Sequence, residues 1–580
     1  MKRVTMPWIL KFCYLLMLLS GAPIVSLTSA HTRPTGSVQQ TQEGAEVLSS
    51  AQAERDGPEV LVQGSPIHNA NGITFDRHDL LYIASLVGRS ILVMNPDTGE
   101  ILKRLGPPAM DVGDPDDLIF GPDGSLYWTA IITGEVRRLS PDGVQSAQQV
   151  GSGVNSITFS DNGRLFVSLC FRGPGAIYEL DPKLSHPPRL IRNDLGPGCG
   201  LNGMAWHDGF LYGPRWFAGE VVRVNVDSGE MLTVANGLAA PAAVKFDSKG
   251  RLHVLDSARG EVLRVDIGTE KKQVVGQLRP GLDNMAFDSH DRLFVSSYAE
   301  GFIAEVLSSG QTRTISEGGL IAPGGVAIMT DHAGRERVFV ADIFSVHEFN
   351  ANTGEAGRTT VTFFGNVVGN PEIGDPLTAS VDDDHLILSS WRANAVQVWD
   401  PEHNKIIEQD LDFAAPGNAI RFRGDLVVTE LLTGSVVRRD AMTGAHVKLA
   451  TGFILPIGLA ATDQDLWVTD WVTGTVRKLV SSGVPLERPV VVAMGLLGPE
   501  GLAVEGSDSL LVVESLTGRL SRINLTTGEV STVAEGLSIQ REAPSWASPT
   551  WNFNGVAVSR TGEIYVTGDH KDVLYRIQPQ

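Results

Sequence analysis

From Asn71 onward the apolar positions of the chain come in short bursts, each closed by Gly, Asp, Asn or Pro. Bursts this short, bounded by turn formers, predict β-strands rather than helices. The bursts also recur as a larger unit. It reads as a strand of the form Gly-apolar-x-apolar, a polar turn, Leu-aromatic-Val, a Gly turn, a third apolar strand, and a Thr-Gly-Glu or Asp-Gly turn. NGITFDRHDLLYIASLVGRSILVMNPDTGE (Asn71–Glu100) and EGLAVEGSDSLLVVESLTGRLSRINLTTGE (Glu500–Glu529) are nearly the same text.

The Gly-like positions fall at 72, 117, 156, 203, 242–243, 284, 325, 378–379, 418, 458, 501 and 555, spaced about 39 to 54 residues apart. Many strands are apolar on both faces, as strands held between two neighbouring sheets should be. A unit that cannot cover its own faces must stack, and radial stacking makes a β-propeller; a parallel β-helix needs shorter coils. One ring of twelve exceeds the usual size, about four to eight blades. The expected fold is therefore all-β, two consecutive six-bladed propellers over 58–320 and 321–580, with the seam at Ser316–Gly325; seven plus five is the alternative split.

The N-terminus has a different texture. Lys2 and Arg3 precede an apolar run from Trp8 to Leu19, and Leu27-Thr28-Ser29-Ala30 ends in a small-residue cleavage pattern. Residues 1–30 read as a signal peptide, since the run is short of the roughly 20 apolar residues that span a bilayer; an uncleaved anchor is the other reading. Residues 31–57, rich in Gln, Ser, Thr, Glu and Ala, read as a flexible leader. The product is expected to be secreted or periplasmic, with no stable membrane insertion after cleavage.

Composition narrows the partners. Lys+Arg 47 against Asp+Glu 67 gives −20, which argues against nucleic acid and anionic membrane. Three cysteines and no CxxC exclude a disulfide scaffold and zinc ribbons. No P-loop, dinucleotide, GxSxG or HExxH motif stands in a supporting context.

The residue before each Gly-like position faces the axis of its ring. In the first half these are Asn71, Asp116, Asn155, Asn202, Ala242 and Asp283; in the second, Gly324, Leu377, Gly417, Ile457, Glu500 and Asn554. Oxygen donors crowd the first axis and are sparse on the second. Converging Asp and Asn oxygens suit a hard divalent cation, Ca²⁺ first, so Asn71, Asp116, Asn155, Asn202 and Asp283 are candidate metal ligands. The competing reading is that each caps its own turn. A second column, Asp342, Glu430, Asp470 and Glu514, reads as a blade-to-blade hydrogen-bonding device. His68, Arg172, Arg215, Trp216 and Tyr298 fall near the same rim. Of these, His68, Arg215 and Tyr298 are candidate substrate contacts, Arg215 as a bidentate partner for a carboxylate or carbonyl or merely as a solvent-facing side chain on Trp216. Cys170 and Cys199 fall on the same face, and in an exported chain a disulfide between them would contribute on the order of 3 kcal/mol; two buried thiols are the alternative.

The segments NGMAW (Asn202–Trp206) and NSITFSDNGRLFVS (Asn155–Ser168) resemble the SMP-30/gluconolactonase/LRE-like group, and the units throughout are similar to NHL repeats and to virginiamycin B lyase repeats (GSLYWTAIITGEVRRL, DLWVTDWVTGTVRKL). That resemblance implies a channel-bound divalent metal and lactone hydrolysis. Asn155 and Asn202 match the family's two Asn ligands. Its Glu falls on Asn71 and its Asp, the general base, on Ala242, so Asp283 and Asp116 are the carboxylates left to act as ligand or base. The expected activity is a metal-dependent hydrolase of a lactone or ester. The alternatives are a lyase using the same constellation and a non-catalytic scaffold presenting loops to a glycan or protein.

Overall fold

The structure is a computed structural model describing residues 58–170, 175–196, 198, 200–331, 333–365, 372–541 and 552–579. The signal-peptide and leader segments, Arg172 and Cys199 lie outside the described residues. Among the described residues the chain is all-β and of β-propeller type: its strands form twelve four-stranded antiparallel sheets. No helix among the described residues is long and apolar enough to cross a membrane.

The first sheet shows why the repeat folds as it does. Ile73–Phe75, Leu81–Ser85, Ser90–Met94 and Ile101–Leu105 pair in chain order. Ser90–Met94 is buried at every position, whereas Ile101–Leu105 exposes its middle three residues. The inner strands are covered on both faces by neighbouring sheets, and the outermost strand meets water. Phe294, Leu92 and Ile83 share one buried cluster across the junction of the first sheet with the sheet ending at Thr312–Ser316.

Innermost strands touch in series. Ile73–Phe75, Pro115–Phe120, Val154–Phe159, Ala205–His207, Pro241–Phe246 and Leu282–Phe287 follow one another, and the last returns to the first. Val326–Thr330, Thr378–Asp382, Pro416–Phe422, Pro456–Ala461, Pro499–Glu505 and Val556–Val558 do the same. Among the described residues the final repeat carries three strands of its own. Its fourth is Glu59–Gln63, which pairs antiparallel with Val573–Ile577, although a division at 320/321 assigns that strand to the first half.

The two halves meet through the turns that follow second strands. Val87, Ile131, Trp216 and Tyr298 pack in one buried cluster with Ile343, Phe344 and Leu377. Trp216 Nε1 also donates to the carbonyl of Phe363, 3.0 Å away.

The acidic column works differently from its expected role. Asp470 accepts from the N–H groups of Ile454 and Leu455 at 3.2 and 3.1 Å, Asp342 from Ile321 and Ala322 at 2.9 and 2.6 Å, Glu430 from Ala414 at 3.0 Å and Glu514 from Leu497 at 2.8 Å. Each carboxylate thus anchors the connection entering its own sheet. Beside Asp470 and Glu430 the sheet-to-sheet bond is carried by the hydroxyl one position earlier: Thr469 donates to the Glu500 carbonyl and Thr429 to the Ile457 carbonyl, both at 3.1 Å. Because Asp470 is fully buried, an Asp470→Ala variant leaves two N–H groups unpaired. It should lose about 2–4 kcal/mol in urea unfolding, and a loss below about 0.5 kcal/mol would show that water replaces the carboxylate.

Candidate functional site

In the first half, irregularities in strand pairing decide which side chains leave the ladder. Register shifts fall between Pro115 and Leu118, between Val154 and Ile157, and between Leu282 and Met285. Each frees two consecutive residues, Asp116-Asp117, Asn155-Ser156 and Asp283-Asn284. A bulge re-aims side chains in this way. Hydroxyls from second strands pin the freed backbone. Thr129 Oγ1 accepts from Asp117 N at 3.0 Å and donates to the Asn155 carbonyl, while Ser296 Oγ accepts from Asn284 N at 3.1 Å and donates to the Asn71 carbonyl.

The freed side chains assemble three carboxylates. Asn71 Nδ2 donates to Asp116 Oδ1 at 3.2 Å, and Asn69 Nδ2 donates to Asn71 Oδ1. Asp117 is held more firmly: Asn284 Nδ2 donates to its Oδ1 at 3.0 Å, and Ser156 Oγ and Ile157 N donate to its Oδ2 at 3.2 and 3.1 Å. Ser156 in turn accepts from Met204 N at 2.6 Å. Asp283 makes no side-chain hydrogen bond with any described residue.

The electrostatics follow from that crowding. Burial, then the charge of Asp117, pushes the Asp116 acid up to about 8, against a smaller opposing effect of the Asn71 hydrogen bond. Burial and then the charges of Asp116 and Asp117 raise Asp283 well above the usual carboxylate range. Asp117 is also raised by burial, though the Lys245 ammonium and its hydrogen bonds oppose this. Lys245 is lowered by burial and partly restored by Asp117; its Nζ donates to the Met204 carbonyl at 3.3 Å. Lys245 acts on Asp117, whereas neither Asp116 nor Asp283 is lowered by a neighbouring cation.

The residues singled out in the sequence separate into groups. Asn71, Asp116 and Asp283 come together. Asn71 serves as a bridge to Asp116, its oxygen already accepting from Asn69. The Asn155 side chain makes no hydrogen bond with a described residue. Asn202 Nδ2 is tied to the Ala242 carbonyl at 2.8 Å, a link to the neighbouring sheet of the kind expected of a cap. Arg215, expected to meet substrate, instead donates Nε to the Leu195 carbonyl at 2.7 Å and pairs with Glu220. Tyr298 is 2 % exposed, donates to the Thr362 carbonyl and packs against Trp216, Phe344 and Phe364. It belongs to the contact between halves. His68 pairs with Asp572 and Arg541 at a different place on the surface. Cys170 is disulfide-bonded.

Asp117, Ser156, Asn284 and Lys245 were not anticipated. Three of them occupy the Gly-like column, where a side chain in place of glycine was the available signal; Lys245 lies two positions further along its strand. A separate group, Asp79, Asp288 and His290, brings its ligand atoms within 4.8 Å of one another. It sits on outer turns, where Asp79 accepts from Ser289 N and Oγ at 3.0 and 2.6 Å and Asp288 pairs with Arg292 at 2.5 Å.

The donor set at the first axis fits a hard divalent cation. Asp116 and Asp283 supply charge, Asp283 and Asn155 have no competing hydrogen bond among the described residues, and neither thiolate nor imidazole is part of the cluster. The second half differs. Its cavity of about 320 Å³ is lined by Val326, Ile328, Ile420, Ile457 and Leu459 among others. Its axial acid, Glu500, accepts from Asn554 N and Nδ2 at 2.7 and 3.0 Å and from Trp471 Nε1 at 3.3 Å.

Comparison with known proteins finds no matching family profile and no matching curated protein. Among solved structures, a streptogramin B lyase is similar with TM-score 0.36 and 16 % identity, over 52 % of this chain and 97 % of that one. The extracellular domain of the hybrid two-component system BT4673 from B. thetaiotaomicron follows with TM-score 0.32 and 11 % identity, over 90 % and 83 % of the two chains. The corresponding BT3049 domain has TM-score 0.31 and 11 % identity, over 88 % and 82 %.

Proposed function

We propose that the chain is an exported pair of six-bladed β-propellers whose N-terminal ring is a divalent-cation-dependent hydrolase of a lactone or ester. The observation that carries this reading is Asp283, a carboxylate without a hydrogen-bond partner among the described residues, set against the raised Asp116. Turn capping gives no reason to keep such a group. The two closed series of inner strands support the twin-ring architecture, and the N-terminal texture supports export.

Asp116, Asp283, Asn155 and Asn202 would hold the ion, Ca²⁺ first. When bound, it supplies Lewis acidity toward a carbonyl and lowers the pKa of water. Asp283, which has no hydrogen-bond partner among the described residues and whose affinity for protons is raised by burial, would also be the group placed to take a proton from water. Asp117, fixed by Asn284, Ser156 and Ile157, stays in place as the partner of Lys245. The Lys245 ammonium, beside Asp117, would orient an anionic or carbonyl oxygen of the substrate.

The test is turnover of a panel of lactones and carboxylic esters in Ca²⁺ and in EDTA. Turnover that requires Ca²⁺ is expected. Calorimetry showing Ca²⁺ bound with no turnover across the panel would leave the binding-scaffold reading in its place, and absence of both would return the carboxylates to an internal role.

A further inference from the structure

A second site, built at the seam of the two halves, points to a ligand of opposite charge to the first. A cavity of about 450 Å³ is lined by Ser65, His68, Arg89, Arg104, Arg541 and Lys571 among its polar residues, within the range of about 300–1,000 Å³ typical of small-molecule sites. Four separate parts of the chain form it: the connection after Glu59–Gln63, the first sheet, the segment after Val530–Ala534 that carries Arg541, and the turn before Val573–Ile577. His570 lines it as well, and among the described residues no acidic side chain does. In a chain of net charge −20, four permanent cations around one opening are a marked local reversal.

Asp111 carries its charge close enough to act on Arg89, and several other carboxylates near this cavity are engaged behind its wall. Asp572, fully buried, pairs with His68 and Arg541. Behind it, Asp342 accepts from Ile321 and Ala322, and Asp569 from Gln540 N at 2.7 Å and Arg541 N at 3.3 Å. Arg541 is 6 % exposed. Its Nη1 donates to the Ile321 carbonyl at 2.8 Å, yet its Nε is buried with no hydrogen-bond partner among the described residues. Arg104 is aimed by bonds from its Nη atoms to Ser90 Oγ at 2.9 Å and the Pro66 carbonyl at 3.1 Å. The cations act on one another: after burial, the largest influence lowering Arg104 is the charge of Arg541, and the same two guanidiniums help burial to keep His68 neutral. Like charges held together around a cavity cost stability until an anion enters.

We infer that the seam cavity binds a tetrahedral oxyanion, the phosphate or sulfate group of a small ligand, between Arg89, Arg104, Lys571 and Arg541. The anion joins the first sheet to the last and so bridges the two halves. Arginine forks match such an oxyanion through paired N–H donors. The site is independent of the axial carboxylates and stands whether or not they carry a cation.

The test is isothermal calorimetry and thermal melting of the whole protein with inorganic phosphate, sulfate and phenyl phosphate, against chloride at matched ionic strength. Binding below about 1 mM and a rise in melting temperature beyond that in chloride are expected for at least one oxyanion. Phenyl phosphate binding more tightly than phosphate identifies an organic phosphomonoester as the ligand class; a preference for sulfate identifies a sulfated one. Arg104→Gln and Lys571→Gln should each weaken binding about tenfold or more, while Lys103→Gln, an exposed change on the same strand, should not. A response equal to that of chloride, or unchanged binding in an Arg89→Gln, Arg104→Gln double variant that melts like the parent protein, overturns the inference.

Discussion

In an Asp283→Asn variant, the Ca²⁺-dependent rise in melting temperature is lost while the metal-free protein becomes more stable. Both signs follow from one cause. Asp283 adds a buried negative charge to Asp116 and Asp117, and its own raised acid records the cost of ionising there. Without a cation, asparagine removes that repulsion at nearly constant volume, a gain of about 1–2 kcal/mol. With Ca²⁺, the variant lacks a charged ligand, and affinity falls on the order of 100-fold, since ligand charge count is a main determinant of affinity at oxygen sites. Ca²⁺ titration by calorimetry, with urea unfolding in EDTA, reads both effects. If Asp283 merely capped a turn, the variant would be destabilised in EDTA and indifferent to Ca²⁺. That pair of results sinks the metal site.

The second large effect is on pH dependence. Burial, and then the charge of Asp569, pushes the Glu500 acid up to about 8, although Asn554 and Ser515 oppose this by hydrogen bonding. The unfolded chain releases that proton near pH 4–5. Between these values the folded protein binds more protons than the unfolded one, so stability falls as pH rises. The favourable contribution is complete below about pH 4 and is lost on passing upward through about pH 8. Each unit of displacement is worth about 1.4 kcal/mol, so Glu500 accounts for a few kcal/mol across the window. Glu500→Gln keeps an acceptor for Asn554 N and has no proton to release. Its unfolding free energy should decline less steeply between pH 5 and 8, the remaining slope coming from the other raised acids, Asp116, Asp117, Asp283, Glu372, Asp375 and Asp572 among them. Identical slopes in the two proteins would mean that Glu500 is ionised throughout, with water reaching it.

The repeat was legible because each unit forms its sheet from neighbouring strands, so turn residues and apolar bursts keep phase with the fold. Glu59–Gln63 has no such phase. Its register is set by Val573–Ile577 at the other end of the chain, and nothing local to EVLVQ names that partner. The axial column was legible for the same reason as the repeat, and it located Asp116 and Asp283. It missed Asp117 and Asn284, because the positions that usually hold glycine were read as backbone and the bulges that turn two adjacent residues inward leave no pattern in the text. Asp470 was recognised as structural, but its role went to Thr469: a carboxylate and a hydroxyl side by side look equivalent until the direction of each strand is known. Arg215 and Tyr298 were placed near the rim by position alone, and the nearby groups that claim them, Glu220, Leu195 and Thr362, decide their roles.

The pairing of Glu59–Gln63 with Val573–Ile577 has a consequence for biogenesis. A ribosome releases the first of these strands about five hundred residues ahead of the second, so the nascent chain carries an unmatched β edge throughout translation of both halves. The C-terminal sheet is completed only once Val573–Ile577 has emerged, by a segment made long before it. Anything that shields that edge in the interval, such as a chaperone, acts on the last step of sheet assembly.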